Sequence, residues 1–141
     1  MKNNLKFNKG DCFIKTVQVT NEMILGFADN SGDKNPVHLD ESYASNTIFK
    51  KRIAHGFLVG SLISAILGND FPGEGTIYLS QLMKFKAPVF IDDKIDVQVV
   101  ILSFPKGKQI LLETKCINQN GVVVIDGEAI VLPPMGSILI Q

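Results

Sequence analysis

The chain has 141 residues, 45% of them hydrophobic, and its 14 basic and 14 acidic side chains cancel to zero formal charge. That length gives one domain over residues 1–141, and that apolar fraction fills a core without disulfide or metal staples. The balanced charge argues against a nucleic-acid binder, which carries a basic excess or stripe.

Met1 to Gly10 has no apolar centre of the signal-peptide kind, and the longest apolar run, Gly56 to Gly68, is too short for a membrane span. Cys12 and Cys116 lack metal-like spacing and read as reduced thiols in strands, so a cytoplasmic protein is expected. Phe13 to Val19 alternates apolar with polar and predicts a strand. Thr20 is placed to cap a short helix over Asn21 to Ala28, with Met23, Ile24 and Phe27 on one face. Asp29 to Asp33 is rich in helix breakers and predicts a loop. Asn35 precedes Pro36 and is pushed towards extended backbone, so the segment after it reads as irregular. Asp40 can cap a short helix ending at Ser45. Gly56 to Gly68 is apolar nearly all round, which predicts a helix enclosed on most sides. Four strands follow, over Ile77 to Phe85, Lys94 to Phe104, Gln109 to Ile117 and Val122 to Leu132. Hairpin turns at Pro105 to Lys108 and Asn118 to Gly121 join the last three. Periodicity alone therefore gives an α+β fold with an antiparallel sheet.

Both histidines fall in two short motifs, Asp33-Lys34-Asn35-Pro36-Val37-His38 and His55-Gly56. A carboxylate and an imidazole aimed at one point can take and return a proton. A helix start offers free N–H groups to a developing oxyanion. Together these suggest chemistry beside a carbonyl.

Gly32 to Asp40, followed by Ile53 to Leu58, resembles the MaoC-like family, specifically its (R)-specific enoyl-CoA hydratases. Gly75 to Gln81, Phe85 to Phe90 and Gly127 to Ala129 extend the likeness over nearly the whole chain. The resemblance implies a hot-dog fold, a curved antiparallel sheet wrapped around one central helix. It implies syn addition of water to a trans-2-enoyl-CoA, and the reverse dehydration. Asp33 and His38 would hold and activate the water, and the N–H of Gly56 would bind the thioester oxygen. Asn35 would steady the loop or contact substrate. Ser64, with Ser61 as its competitor, would support the site from the central helix. His55 would either order the helix start or contact substrate. Which of Asp33 and His38 moves which proton stays open. No metal or cofactor is required, because coenzyme A arrives as part of the substrate.

The carrier is open, since an acyl carrier protein thioester suits the same chemistry. Lys50, Lys51, Arg52, Lys84 and Lys86 are candidates for phosphate contact, against the plainer reading of solvated charges. A thioesterase is disfavoured because the Gly56 to Gly68 helix holds no carboxylate. A non-catalytic acyl-thioester sensor would not need Asp33 and His38 together. A homodimer is expected, both from the resemblance and because a small open sheet leaves strand edges exposed.

Overall fold

In the computed structural model, residues 4–141 are described. Strands β1 (Lys6–Asn8) and β2 (Cys12–Gln18) lead into helix α1 (Asn21–Ser31). Two short helices, α2 (Pro36–Leu39) and α3 (Glu41–Ser45), precede the long helix α4 (Gly56–Asn69). Strands β3 (Ile77–Phe85), β4 (Lys94–Ser103), β5 (Ile110–Ile117), β6 (Val123–Leu132) and β7 (Ile138–Ile140) complete the chain. Five strands form one antiparallel sheet in the order β2-β4-β5-β6-β3, so β2 and β3 are its edges. Register shifts at Tyr78/Ser80, Ile101/Ser103 and Cys116/Ile117 are the irregularities that let a sheet curve. The result is the expected hot-dog arrangement, α+β with α4 lying on the sheet.

The core is where strand alternation meets the helix. Ile95, Val97, Val99 and Ile101 of β4 and Ile110 and Leu112 of β5 are buried. They form one cluster with Val59, Ile63, Ile66 and Leu67 of α4. Each such aliphatic side chain contributes about 1.5–3 kcal/mol when fully buried. Close backbone approach also shapes the sheet. A Cβ on Gly127 in β6 would clash with the main-chain carbonyl oxygen of Leu82 in β3, so any larger residue there forces β3 to shift.

Three expectations need correction. Helix α1 does not stop at Ala28 but runs through Asp29, Asn30 and Ser31. Its end is set by Gly32, which takes φ 81° and donates its N–H to the Ala28 carbonyl. Thr20 is the cap as expected, its hydroxyl accepting from Met23 N at 3.2 Å. The segment after Asn35 is a helical turn rather than irregular backbone, because Pro36 at its first position pre-sets φ and needs no hydrogen-bond acceptor. Helix α4 is buried along one side only, leaving Phe57, Ser61 and Ser64 exposed in the single chain. The β1–β7 parallel pair had no sequence signal, since three residues are too few to show a period.

Candidate active site

Asp33 follows the Gly32 stop of α1, and its Oδ1 accepts from the N–H of Asn35 at 3.2 Å. Asn35 repeats the device one step on, its Oδ1 accepting from Val37 N at 3.2 Å to cap α2. These two local bonds turn the chain and seat His38 in the last turn of α2. Asp40, at the end of α2, accepts from Tyr43 N at 3.0 Å and starts α3. From the far side comes the run Arg52 to His55, which leads into α4.

His38 is buried, with 8% of its surface exposed. Its Nδ1 lies 2.8 Å from the carbonyl oxygen of Ile53. A carbonyl only accepts, so Nδ1 carries the proton and neutral His38 is left with a basic Nε2. His55 is more deeply buried, and the nitrogen that faces a carbonyl is its other one. Its Nε2 donates to the Asp33 carbonyl oxygen at 2.9 Å, and its Nδ1 has no hydrogen-bond partner among the described residues. The two imidazoles stack with centroids 3.9 Å apart, and Phe27 backs His55 at 4.8 Å. Burial pushes the pKa of His38 below its ordinary value of 6.5 and outweighs the upward pull of its bond to Ile53. The neighbouring His55 lowers it further, while Asp33 raises it. His38 is therefore neutral near pH 7.

Asp33, His38 and His55 each offer one atom within 4.8 Å of the others. As donors they are the trio to consider for a metal ion. Nδ1 of His38 and Nε2 of His55 are already committed to main-chain carbonyls, so each ring has one nitrogen left to offer. A carboxylate beside two such nitrogens also suits proton handling. Helix α4 supplies the complement. It begins at Gly56 with no side-chain cap, and its ladder starts only at Val59 N to His55 O, 3.2 Å. The amides of its first residues have no acceptor within the helix. A Cβ on Gly56 would stand 2.7 Å from the Phe85 ring, so glycine lets that ring close over the helix start.

These groups share one cavity of about 540 Å³. Asp33, His38, His55 and Gly56 all line it, between Phe27, Phe57 and Phe85. Two residues expected to support the site do not line this cavity. Asn35 does not line the cavity, because its side chain is committed to capping α2. Ser64 lines a second groove of about 460 Å³ with Ser61, Tyr78 and Gln81, on the exposed side of α4. Phe27 and Phe57 form the wall common to both. The basic residues also divide. Lys86 lines the first cavity, whereas Lys51 lies 4.6 Å over the Phe90 ring. Arg52 points inward, donating to His38 O and Asn21 Oδ1 at 2.7 Å each, which corrects its reading as a phosphate contact. Sequence gave no signal for that inward role or for the aromatic walls at Phe27, Phe49 and Phe85.

A curved sheet over one helix, with a carboxylate–imidazole pair at the helix start, defines a hot-dog protein equipped for proton transfer. The model of the MaoC-like domain matches residues 8–121. An (R)-specific enoyl-CoA hydratase of Rhodospirillum rubrum is 48% identical over 77% of this chain and 75% of its own length. A mitochondrial 3-hydroxyacyl-[acyl-carrier-protein] dehydratase of Arabidopsis thaliana is 40% identical over 89% of this chain and 76% of its own length. The solved structure of R-hydratase PhaJ1 from Pseudomonas aeruginosa, in its unliganded form, matches with a TM-score of 0.87 at 41% identity. That match covers 92% of this chain and 83% of the other. The chain belongs to the MaoC-like family. Among the described residues, no helix is long and apolar enough to cross a membrane.

Proposed function

We propose that the protein is a hydro-lyase, an (R)-specific enoyl-CoA hydratase that also dehydrates (R)-3-hydroxyacyl-CoA. The observation that carries this reading is the shared cavity of Asp33, His38 and the Gly56 helix start, with donor atoms of the pair within 4.8 Å. A water hydrogen-bonded to both groups at ~2.8 Å spans such a gap. A carboxylate oxygen of Asp33 and Nε2 of His38 both accept, so they hold the water by its two hydrogens. As the water oxygen bonds to C3, one proton passes to the pair. The pair returns a proton to C2 from the same side, which makes the addition syn. Negative charge collects meanwhile on the thioester oxygen, where the Gly56 N–H and the positive end of α4 stabilise it. Dehydration runs the same steps backwards. These steps use the chain's own residues, and coenzyme A enters only as part of the substrate.

Asp33 is the one carboxylate lining the cavity among the described residues, and its place beside His38 favours hydration over thioester hydrolysis. Acyl carrier protein is the second reading for the carrier, supported by the likeness to the Arabidopsis dehydratase. Lys86 at the cavity lining suits the phosphates of either carrier.

The working unit is proposed to be a homodimer. Edge strand β3 exposes Ile77, Tyr78, Leu79, Leu82 and Phe85, and Phe57 of α4 is 66% exposed. An apolar edge of this kind invites pairing with a second copy. That copy would also cover the groove holding Ser64. Sedimentation at micromolar concentration should give the dimer mass, and a monomer would contradict it. The functional test is crotonyl-CoA with enoyl absorbance and free thiol followed together. Loss of enoyl absorbance without thiol release, giving the (R)-3-hydroxy product, is expected. Thiol release alone, or tight binding without turnover, would refute the reading.

A further inference from the structure

We propose that Arg52 is a positioning residue for His38, tying that histidine's main chain to helix α1. The proposal rests on the reading of Asp33 and His38 as the acid–base pair. Helix α2 has only four residues, so it satisfies its own carbonyls poorly. Asp40 N takes up the Pro36 carbonyl at 2.8 Å. The His38 carbonyl accepts instead from Arg52 Nε at 2.7 Å. The far end of the same guanidinium donates to Asn21 Oδ1 at 2.7 Å, at the first residue of α1. A planar guanidinium fixes the distance between two acceptors, which a flexible ammonium cannot.

The neighbouring residues of the same run hold the rest of the pair. The Ile53 carbonyl accepts from His38 Nδ1 at 2.8 Å, and Ile53 N donates to the Val37 carbonyl at 3.3 Å. His55 holds the Asp33 carbonyl. Arg52 is the member that sets where α2, and hence the His38 ring, stands relative to α1 and Asp33. Without it, only the long 3.3 Å bond from Ile53 N to the Val37 carbonyl ties the α2 main chain to this run, and Nε2 drifts from the water it shares with Asp33.

The test is Arg52→Met, which keeps the aliphatic stem and removes both donors. The expected result is a fall in kcat of roughly tenfold to a hundredfold, with KM within about threefold. Arg52→Lys should recover part of the loss. In a His38→Ala background, Arg52→Met should cost nothing further, because Arg52 acts only through His38. An equal cost in both backgrounds would overturn the proposal. A readout that needs no turnover is the ¹⁵N imidazole spectrum. Wild type should show His38 as the Nδ1–H form, and folded Arg52→Met should show a mixture with Nε2–H. An unchanged His38 pattern would overturn the proposal whatever the activity. Should Arg52→Met fail to fold, Asn21→Ala, which frees the other end of the guanidinium at an exposed position, must shift the same signals in the same direction. Tautomer mixing in an enzyme that turns out not to hydrate enoyl-CoA would uphold the clamp and refute the function.

Discussion

Replacing Asp33 by Asn separates proton transfer from architecture. Asn keeps an Oδ1 that can accept from Asn35 N–H, so the turn into α2 survives. Asp33 is exposed, and the His55 bond reaches its main-chain carbonyl rather than its side chain. Folding stability should therefore stay within about 0.5 kcal/mol of wild type. What is lost is the carboxylate partner of His38 in holding and deprotonating water. General acid–base catalysis is worth ~10²–10⁴-fold, so kcat/KM should fall at least a hundredfold. At ~1.36 kcal/mol per decade that is a loss of ~2.7 kcal/mol or more in transition-state stabilisation. The assay is hydration of crotonyl-CoA by loss of enoyl absorbance, with thermal unfolding of the same sample. Activity within a few-fold of wild type, in a folded variant, would remove Asp33 from the mechanism.

His38→Ala should cost a comparable factor, and the double variant with Asp33→Asn much less than the product, since the two groups act as a unit; full multiplicativity in steady-state kinetics would contradict a shared water. The lowered pKa of His38 sets a pH dependence. Its folded-state pKa lies below the unfolded 6.5, so the unfolded chain binds more protons between the two values. The stability linked to neutral His38 is thus complete above pH 6.5 and is lost as pH falls through the folded pKa. The groups facing the ring are Asp33 and His55, with Arg52 on its carbonyl. An NMR titration of His38 with its midpoint above 6.5 would contradict this reading. Gly127→Ala should destabilise by about 1–3 kcal/mol in urea unfolding, because β3 must move away to admit the methyl group. An unchanged midpoint would show that β3 yields freely.

Local rules made most of the fold legible. The alternation of β4 and β5 is the burial pattern itself, and Asn120-Gly121 marks a real turn in which Asn118 Oδ1 accepts from Asn120 N and Val122 N. Two motifs 22 residues apart, Asp33 and His55, could be assigned to one site because their residue types made chemical sense only together. The misses share a cause, which is that side-chain direction and partners belong to tertiary structure. Sequence leaves Asn35 open between steadying the loop and contacting substrate, and its cap on α2 bears out the first. Ser61 and Ser64 share a face of α4 as their spacing predicts, but that face is exposed in the single chain, which the apolar Phe57 beside them hid in the pattern. A helix that is apolar all round reads the same whether one chain or two cover it. Arg52 looked like surface charge, because nothing in a basic triplet says which member turns inward.

A crystal structure with an unreactive enoyl-thioester analogue bound tests the central geometry most directly. It should show one water within ~3 Å of both an Asp33 oxygen and His38 Nε2, facing C3, with the Gly56 N–H ~3 Å from the thioester oxygen. An analogue seated beyond Phe57 beside Ser64, with the Asp33–His38 cavity unoccupied by it, would contradict the mechanism.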